Sequence, residues 1–203
     1  MILLTFKIWT IFASILFPSS VKYDWQQVTE TEKYVVYTRK SFKSNFKEVK
    51  ITGKIDASLD AVINVLSDVD NYPKWIFNCV ESFELEDKTD LYYYAKIDLP
   101  FPLSDRDMVV HNTTRFDTDG IWHSCSVAQP KTMEEVEDVV RIKHYKSEWK
   151  IVNHGNGVDF EYIVSFDPSG AIPGWIMNMV VTKGPIQTIA ALEKRSKMIE
   201  KDN

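Results

Sequence analysis

Leu99-Pro-Phe-Pro-Leu-Ser-Asp-Arg-Asp-Met-Val-Val110 decides how this chain folds. Prolines at 100 and 102 lack an amide donor and stop a helix, and the Ser-Asp turn behind them delivers the chain into the β-branched run Met108-Val-Val110. It is a corner that opens a strand. A second segment, Phe166-Asp-Pro-Ser-Gly-Ala-Ile-Pro-Gly-Trp-Ile-Met-Asn-Met-Val180, runs the other way: Asp167-Pro-Ser-Gly170 closes a strand, and Pro173 takes a first-turn position at the head of an apolar helix. Together the two predict a sheet followed by a long terminal helix. Neither carries a catalytic pattern.

Working outward, the stretch from Val80 to Phe166 is a succession of strand-like runs: Ser82 to Glu86, Leu91 to Leu99, Met108 to Phe116, Ile121 to Val127, Val139 to Tyr145, Glu148 to Asn153 and Asp159 to Phe166. Thr118-Asp-Gly120 and His154-Gly-Asn-Gly157 are hairpin signals, because glycine and asparagine tolerate positive φ. No helices alternate with these strands, so a meander is the economical topology. Upstream, Trp25 to Lys33 is polar and predicted helical, Tyr34 to Thr38 is a first strand and Lys47 to Ile55 a second. Ser58 is an N-cap for a helix through Leu66, with Leu59, Val62, Ile63 and Leu66 on its core face. Asp68 to Ile76 is a short helical piece broken at Pro73, with Trp75 as a packing anchor. In the terminal segment, Pro173 to about Lys201, Gly184-Pro185 interrupts the hydrogen-bond ladder and predicts two helical pieces or one kinked helix.

With 203 residues, 44% apolar and 13% aromatic, the chain can bury one sizeable core as a single domain. A net charge of −5 argues against nucleic acid, which needs a basic face. Residues 1–20 read as an export signal: Lys7 is the only charge before the apolar run Ile8 to Phe17, which ends at Pro18-Ser-Ser20. That run is shorter than the roughly 18 residues a spanning helix needs, which favours a cleaved signal over an uncleaved tether. The domain is then 21–203, working in a periplasmic or secreted location. Cys79 and Cys125 lack metal or redox spacing. They are either two small buried hydrophobes or a disulfide permitted by export.

No constellation supports an enzyme, a metal or a cofactor. The histidines at 111, 123, 144 and 154 have neither a helical i+4 partner nor a neighbouring cysteine suited to a metal. Ser104-Asp-Arg sits in no nucleophile elbow, and no phosphate loop or dinucleotide fingerprint occurs. Binding of an apolar guest needs less: a concave apolar wall with a few polar groups to orient the guest. Alternation places Tyr93 on the more apolar face of Leu91 to Asp98, and groups Met108, Val110 and Asn112 on one face of the next strand. An amide at Asn112 in such a wall needs a partner: protein, water or ligand. On the terminal helix Trp175, Ile176 and Met179 present a face that either closes a tunnel or fills the core, and methionine adapts to guests of different shape.

The order Asp68-Val-Asp-Asn-Tyr-Pro-Lys-Trp75, Ser104-Asp-Arg-Asp-Met108, Val140-Arg-Ile142 with Trp149, Asp167-Pro-Ser-Gly170 and Ile172-Pro-Gly-Trp175 resembles the START lipid-transfer family of the helix-grip, Bet v 1-like superfamily. That resemblance implies an α+β helix-grip fold: a curved antiparallel β-sheet wrapped around a long C-terminal α-helix, with an internal hydrophobic tunnel for one lipid-like molecule. Arg106 and Arg141 match family positions and are read as structural ties to acidic neighbours. Sterol-carrying members place an arginine six residues after the first; here that position is Asn112, which points to an uncharged pocket. The expected function is a monomeric, non-catalytic binder that transfers or senses a lipid-like molecule and touches membranes transiently. The alternatives are a cyclase, aromatase or hydrolase drawing on Tyr93, Asn112, His111 and Arg106, and a dry core plugged by the helix.

Overall fold

Inward-pointing apolar residues at every second position build one curved antiparallel sheet in the computed structural model, which describes residues 24–40, 47–86, 90–170, 172–173, 175–176 and 183–202. The strands are β1 (Gln26–Glu30), β2 (Tyr34–Lys40), β3 (Lys47–Ile55), β4 (Cys79–Glu84), β5 (Leu91–Ile97), β6 (Arg106–Phe116), β7 (Trp122–Ala128), β8 (Val140–Arg141), β9 (His144–His154) and β10 (Gly157–Asp167). Their order is β1-β2-β3-β10-β9-β7-β6-β5-β4, with β8 paired in parallel to β6. The meander therefore runs only from β4 to β10. The two N-terminal hairpin pairs add at the β10 edge, because the connection from β3 to β4 carries helix α1 (Leu59–Ser67) and a 3-10 helix, Val69–Lys74.

Helix α2 (Gly184–Asp202) packs against α1, with Ile189 and Leu192 fully buried in the core. Pro185 falls in its first turn, where the missing amide costs nothing. Ser58 caps α1 by accepting from the Ala61 amide at 3.3 Å. The buried stripe of α1 centres on Ala61, Val62 and Val65, and Leu59, Ile63 and Leu66 flank it. Residues 1–20, with the export reading, lie outside the described residues, as do Met179 and Val180. No helix among the described residues is long and apolar enough to cross a membrane.

Two local expectations are corrected. Trp25 to Lys33 is not helical: Gln26–Glu30 is an edge strand on β2. Its single aliphatic side chain, Val28, leaves no i, i+4 face to bury, so backbone pairing decides its conformation. Val139 to Tyr145 is not one strand either. Two residues pair with β6, the ladder stops at Ile142 and Lys143, and His144 begins a strand that runs unbroken to His154.

Glu193 fastens α2 to the sheet. Its carboxylate accepts from Lys33 Nζ at 2.7 Å, Lys197 Nζ at 2.6 Å and Tyr34 Oη at 3.0 Å. Burial alone would raise its pKa, but the bonds from Lys197, Lys33 and Tyr34 outweigh burial and hold it below the ordinary 4.5. A depressed folded-state pKa gives stability that is fully present above that value and is lost as pH falls through the lower one. Stability of the native chain is therefore expected to decline below pH 4.5 more steeply than that of Glu193→Gln, as read by denaturant midpoints along a pH series. Equal slopes would show that the carboxylate is not coupled to folding.

Candidate functional site

Between the concave face of the sheet, the 3-10 helix and the head of α2 lies a cavity of about 220 Å³. Aromatic and aliphatic side chains make up most of its wall, so the helix does not plug a dry core. Tyr72 holds the near end: its ring meets Trp75 edge-on at 5.4 Å and Tyr93 edge-on at 5.6 Å, and its hydroxyl donates to the Leu66 carbonyl at 2.7 Å. Phe77 donates its amide to Thr188 Oγ1 at 3.1 Å, which ties the exit of the 3-10 helix to α2.

Strand register gives the far wall its polarity. Ser147 on β9, Ser126 on β7 and Asn112 on β6 stand opposite one another in successive pairs, so three polar side chains form a row across adjacent strands. The Asn112 amide donates both Nδ2 hydrogens, to Ser124 Oγ and Ser126 Oγ, each at 2.8 Å. Its two donor hydrogens are thus met by protein. Tyr145 Oη donates to Ser147 Oγ at 3.0 Å, and Trp149 stacks on Tyr162 at 4.3 Å. Burial pushes the phenols of Tyr93, Tyr145 and Tyr162 above the usual tyrosine value and keeps them neutral. Cys79 and Cys125 are both free, and burial raises the Cys79 thiol to about 11.

Of the residues singled out from sequence, Tyr93, Met108, Asn112 and Ile176 line the cavity. Val110 does not. It pairs with Tyr93 and is fully buried, a short side chain packed beneath longer neighbours. Trp175 is also corrected, because it is 60% exposed while Ile176 is buried. Successive helical positions point about 100° apart, so turning Ile176 inward sends Trp175 out. Met179 lies outside the described residues. His111 leaves the cavity altogether and stacks on Tyr92 at 4.4 Å. Ser124, Ser126, Tyr145, Ser147 and Tyr162 were missed, although the i, i+2 spacing of Ser124 with Ser126 and of Tyr145 with Ser147 marks one face of each strand.

The two arginines part company. Arg141 pairs with Asp107 through Nε at 2.8 Å and Nη2 at 2.9 Å, and both side chains are fully buried. Among the described residues Arg106 makes no ion pair, contrary to expectation; Asp105 beside it acts only through its charge. The Arg106 Nε donates to the Pro168 carbonyl at 3.0 Å, Nη2 to Ser169 at 3.2 Å and Nη1 to Ser104. It fastens the corner of β6 to the turn after β10, at the rim of the cavity.

The family model described as polyketide cyclase / dehydrase and lipid transport matches residues 55–193. An uncharacterized protein of Pseudomonas aeruginosa is 32% identical over 178 residues, covering 85% of this chain and 88% of that protein. Human phosphatidylcholine transfer protein is 27% identical over 184 residues, covering 88% and 86%. Among solved structures, a STAR-related lipid transfer protein of Xanthomonas axonopodis superposes with a TM-score of 0.77 at 29% identity, over 85% of this chain and 98% of that one.

Proposed function

This chain belongs to the START lipid-transfer family within the polyketide cyclase, dehydrase and lipid transport group, and from that premise we propose that it binds one lipid-like molecule in the cavity and carries it between membranes unchanged. The observation that carries this reading is a concave, mostly apolar space between sheet and helix with a row of polar groups on the sheet wall. Burial of the guest's apolar surface supplies affinity at about 25 cal/mol per Å². The lining groups suit binding without chemistry: the phenols stay neutral, and the Arg106 guanidinium is engaged by three carbonyls. Organic extraction of the purified full chain followed by mass analysis, with a vesicle-to-vesicle transfer assay, tests the proposal. No bound lipid and no transfer would end it.

Loading needs contact with a bilayer, and two aromatics supply it. Phe101 is 95% exposed and Trp175 is 60% exposed. Each is bracketed in the chain by residues that line the cavity, Leu99 and Arg106 in one case, Ile172 and Ile176 in the other. We read this rim as the membrane-facing end, with residues 1–20 directing the chain out of the cytoplasm. Burying a phenylalanine side chain contributes about 1.5–3 kcal/mol, so Phe101→Asp is expected to lower vesicle binding and transfer at least about tenfold. Its denaturation midpoint should not move, since the side chain contacts solvent. A transfer rate equal to the parent's would place the docking surface elsewhere.

A further inference from the structure

We infer that the cavity selects lipids whose polar end is an uncharged hydroxyl- or carbonyl-bearing group, seated on the row Ser147, Ser126 and Asn112, and rejects lipids with a charged head. This rests on the lipid-carrier reading above and names the class of guest. The first support is the charge inventory of the wall: no Asp, Glu, Lys or His side chain lines the cavity among the described residues. The one cation, Arg106, sits at the rim with three backbone carbonyls already on its guanidinium. Nothing on the far wall can neutralise a phosphate, and an ion taken from water without a countercharge suffers a penalty that no amide or hydroxyl row offsets.

The second support is how the row's hydrogen bonds are arranged. Asn112 gives both amide hydrogens to serine oxygens, which fixes its carboxamide and leaves Oδ1 as an acceptor without a partner among the described residues. Ser124 and Ser126 accept from Asn112; the Ser124 hydrogen is left to donate, while Ser126 also bonds the Tyr93 hydroxyl. A hydroxyl that donates to Oδ1 and accepts from a serine matches this pattern; so does a carbonyl that only accepts. Ser147 already accepts from Tyr145 and extends the row. Trp75, 6% exposed on the same cavity, holds an indole N–H with no hydrogen-bond partner among the described residues. That is a second neutral donor for a guest oxygen, and burying it unpaired is otherwise unfavourable.

Matched lipids decide the question. The full chain is offered vesicles carrying mono- or diacylglycerol, phosphatidic or lysophosphatidic acid, or phosphatidylcholine, all with the same acyl chains, and extraction is measured by mass. Acylglycerol taken up at least about tenfold over each phosphate-bearing lipid is the expected result. Asn112→Leu should shrink that preference to within about threefold, a ratio read between lipids on the same folded protein, whereas a merely structural role would lower uptake of all the lipids together. Ser126→Ala serves the same purpose should Asn112→Leu fail to fold. Phosphatidic acid or phosphatidylcholine extracted as well as acylglycerol would overturn the inference and leave the carrier reading intact. No uptake of any lipid would overturn both.

Discussion

An Arg141→Ala chain is expected to lose about 3–5 kcal/mol of folding stability, most of what a domain at the low end of the usual range of about 5–15 kcal/mol possesses. Each of the five guanidinium hydrogens has a named acceptor. Two go to the Asp107 carboxylate, and the others to the carbonyls of Pro130, Met133 and Glu134 at 2.9, 3.0 and 3.0 Å. Truncation strands the Asp107 carboxylate, fully buried and without its countercharge, and releases three carbonyls of the loop between β7 and β8. Arg141→Lys should recover little, since one ammonium cannot reach acceptors in so many directions. Replacing both partners, Arg141→Leu with Asp107→Leu, should cost less than Arg141→Ala alone, because no charge is then left buried. Urea denaturation of the three variants checks the order. A loss under about 1 kcal/mol for Arg141→Ala would show that the pair only decorates the loop.

What the sequence made legible follows from the range over which each signal acts. Alternation is local, so Tyr93, Met108 and Asn112 could be assigned to one wall before any pairing was known. Register is not local. The row Ser147, Ser126 and Asn112 exists because β9, β7 and β6 align across tens of residues, and no single strand reports it. Arg106 illustrates the same limit: its acceptors at Pro168 and Ser169 are backbone carbonyls, which carry no residue identity to read. The Trp25 to Lys33 segment shows the opposite case: its composition fits a solvated helix, and only the edge of β2 turns it into a strand. Placing Trp175 and Ile176 on one helix face overlooks that helical geometry separates neighbours.

Met108→Trp is expected to lower lipid uptake at least about tenfold while leaving the denaturation midpoint close to the parent's, and the pairing of those two results carries more weight than either alone. Apolar residues gathered between a sheet and a helix describe a packed core and a gripped cavity equally well, which is why the sequence leaves both open. Energetics separates them. In a core already at full density, an added indole forces neighbours off their rotamers and costs about 1–3 kcal/mol. Met108 is only partly buried, lies on the wall between Asn112 and Arg106, and faces open volume. An indole there takes the guest's place and gains contacts that the empty chain lacks. Reduced uptake with unchanged stability is therefore the signature of a working cavity. A destabilised variant whose uptake matches the parent's would mean that the guest lies elsewhere on the sheet.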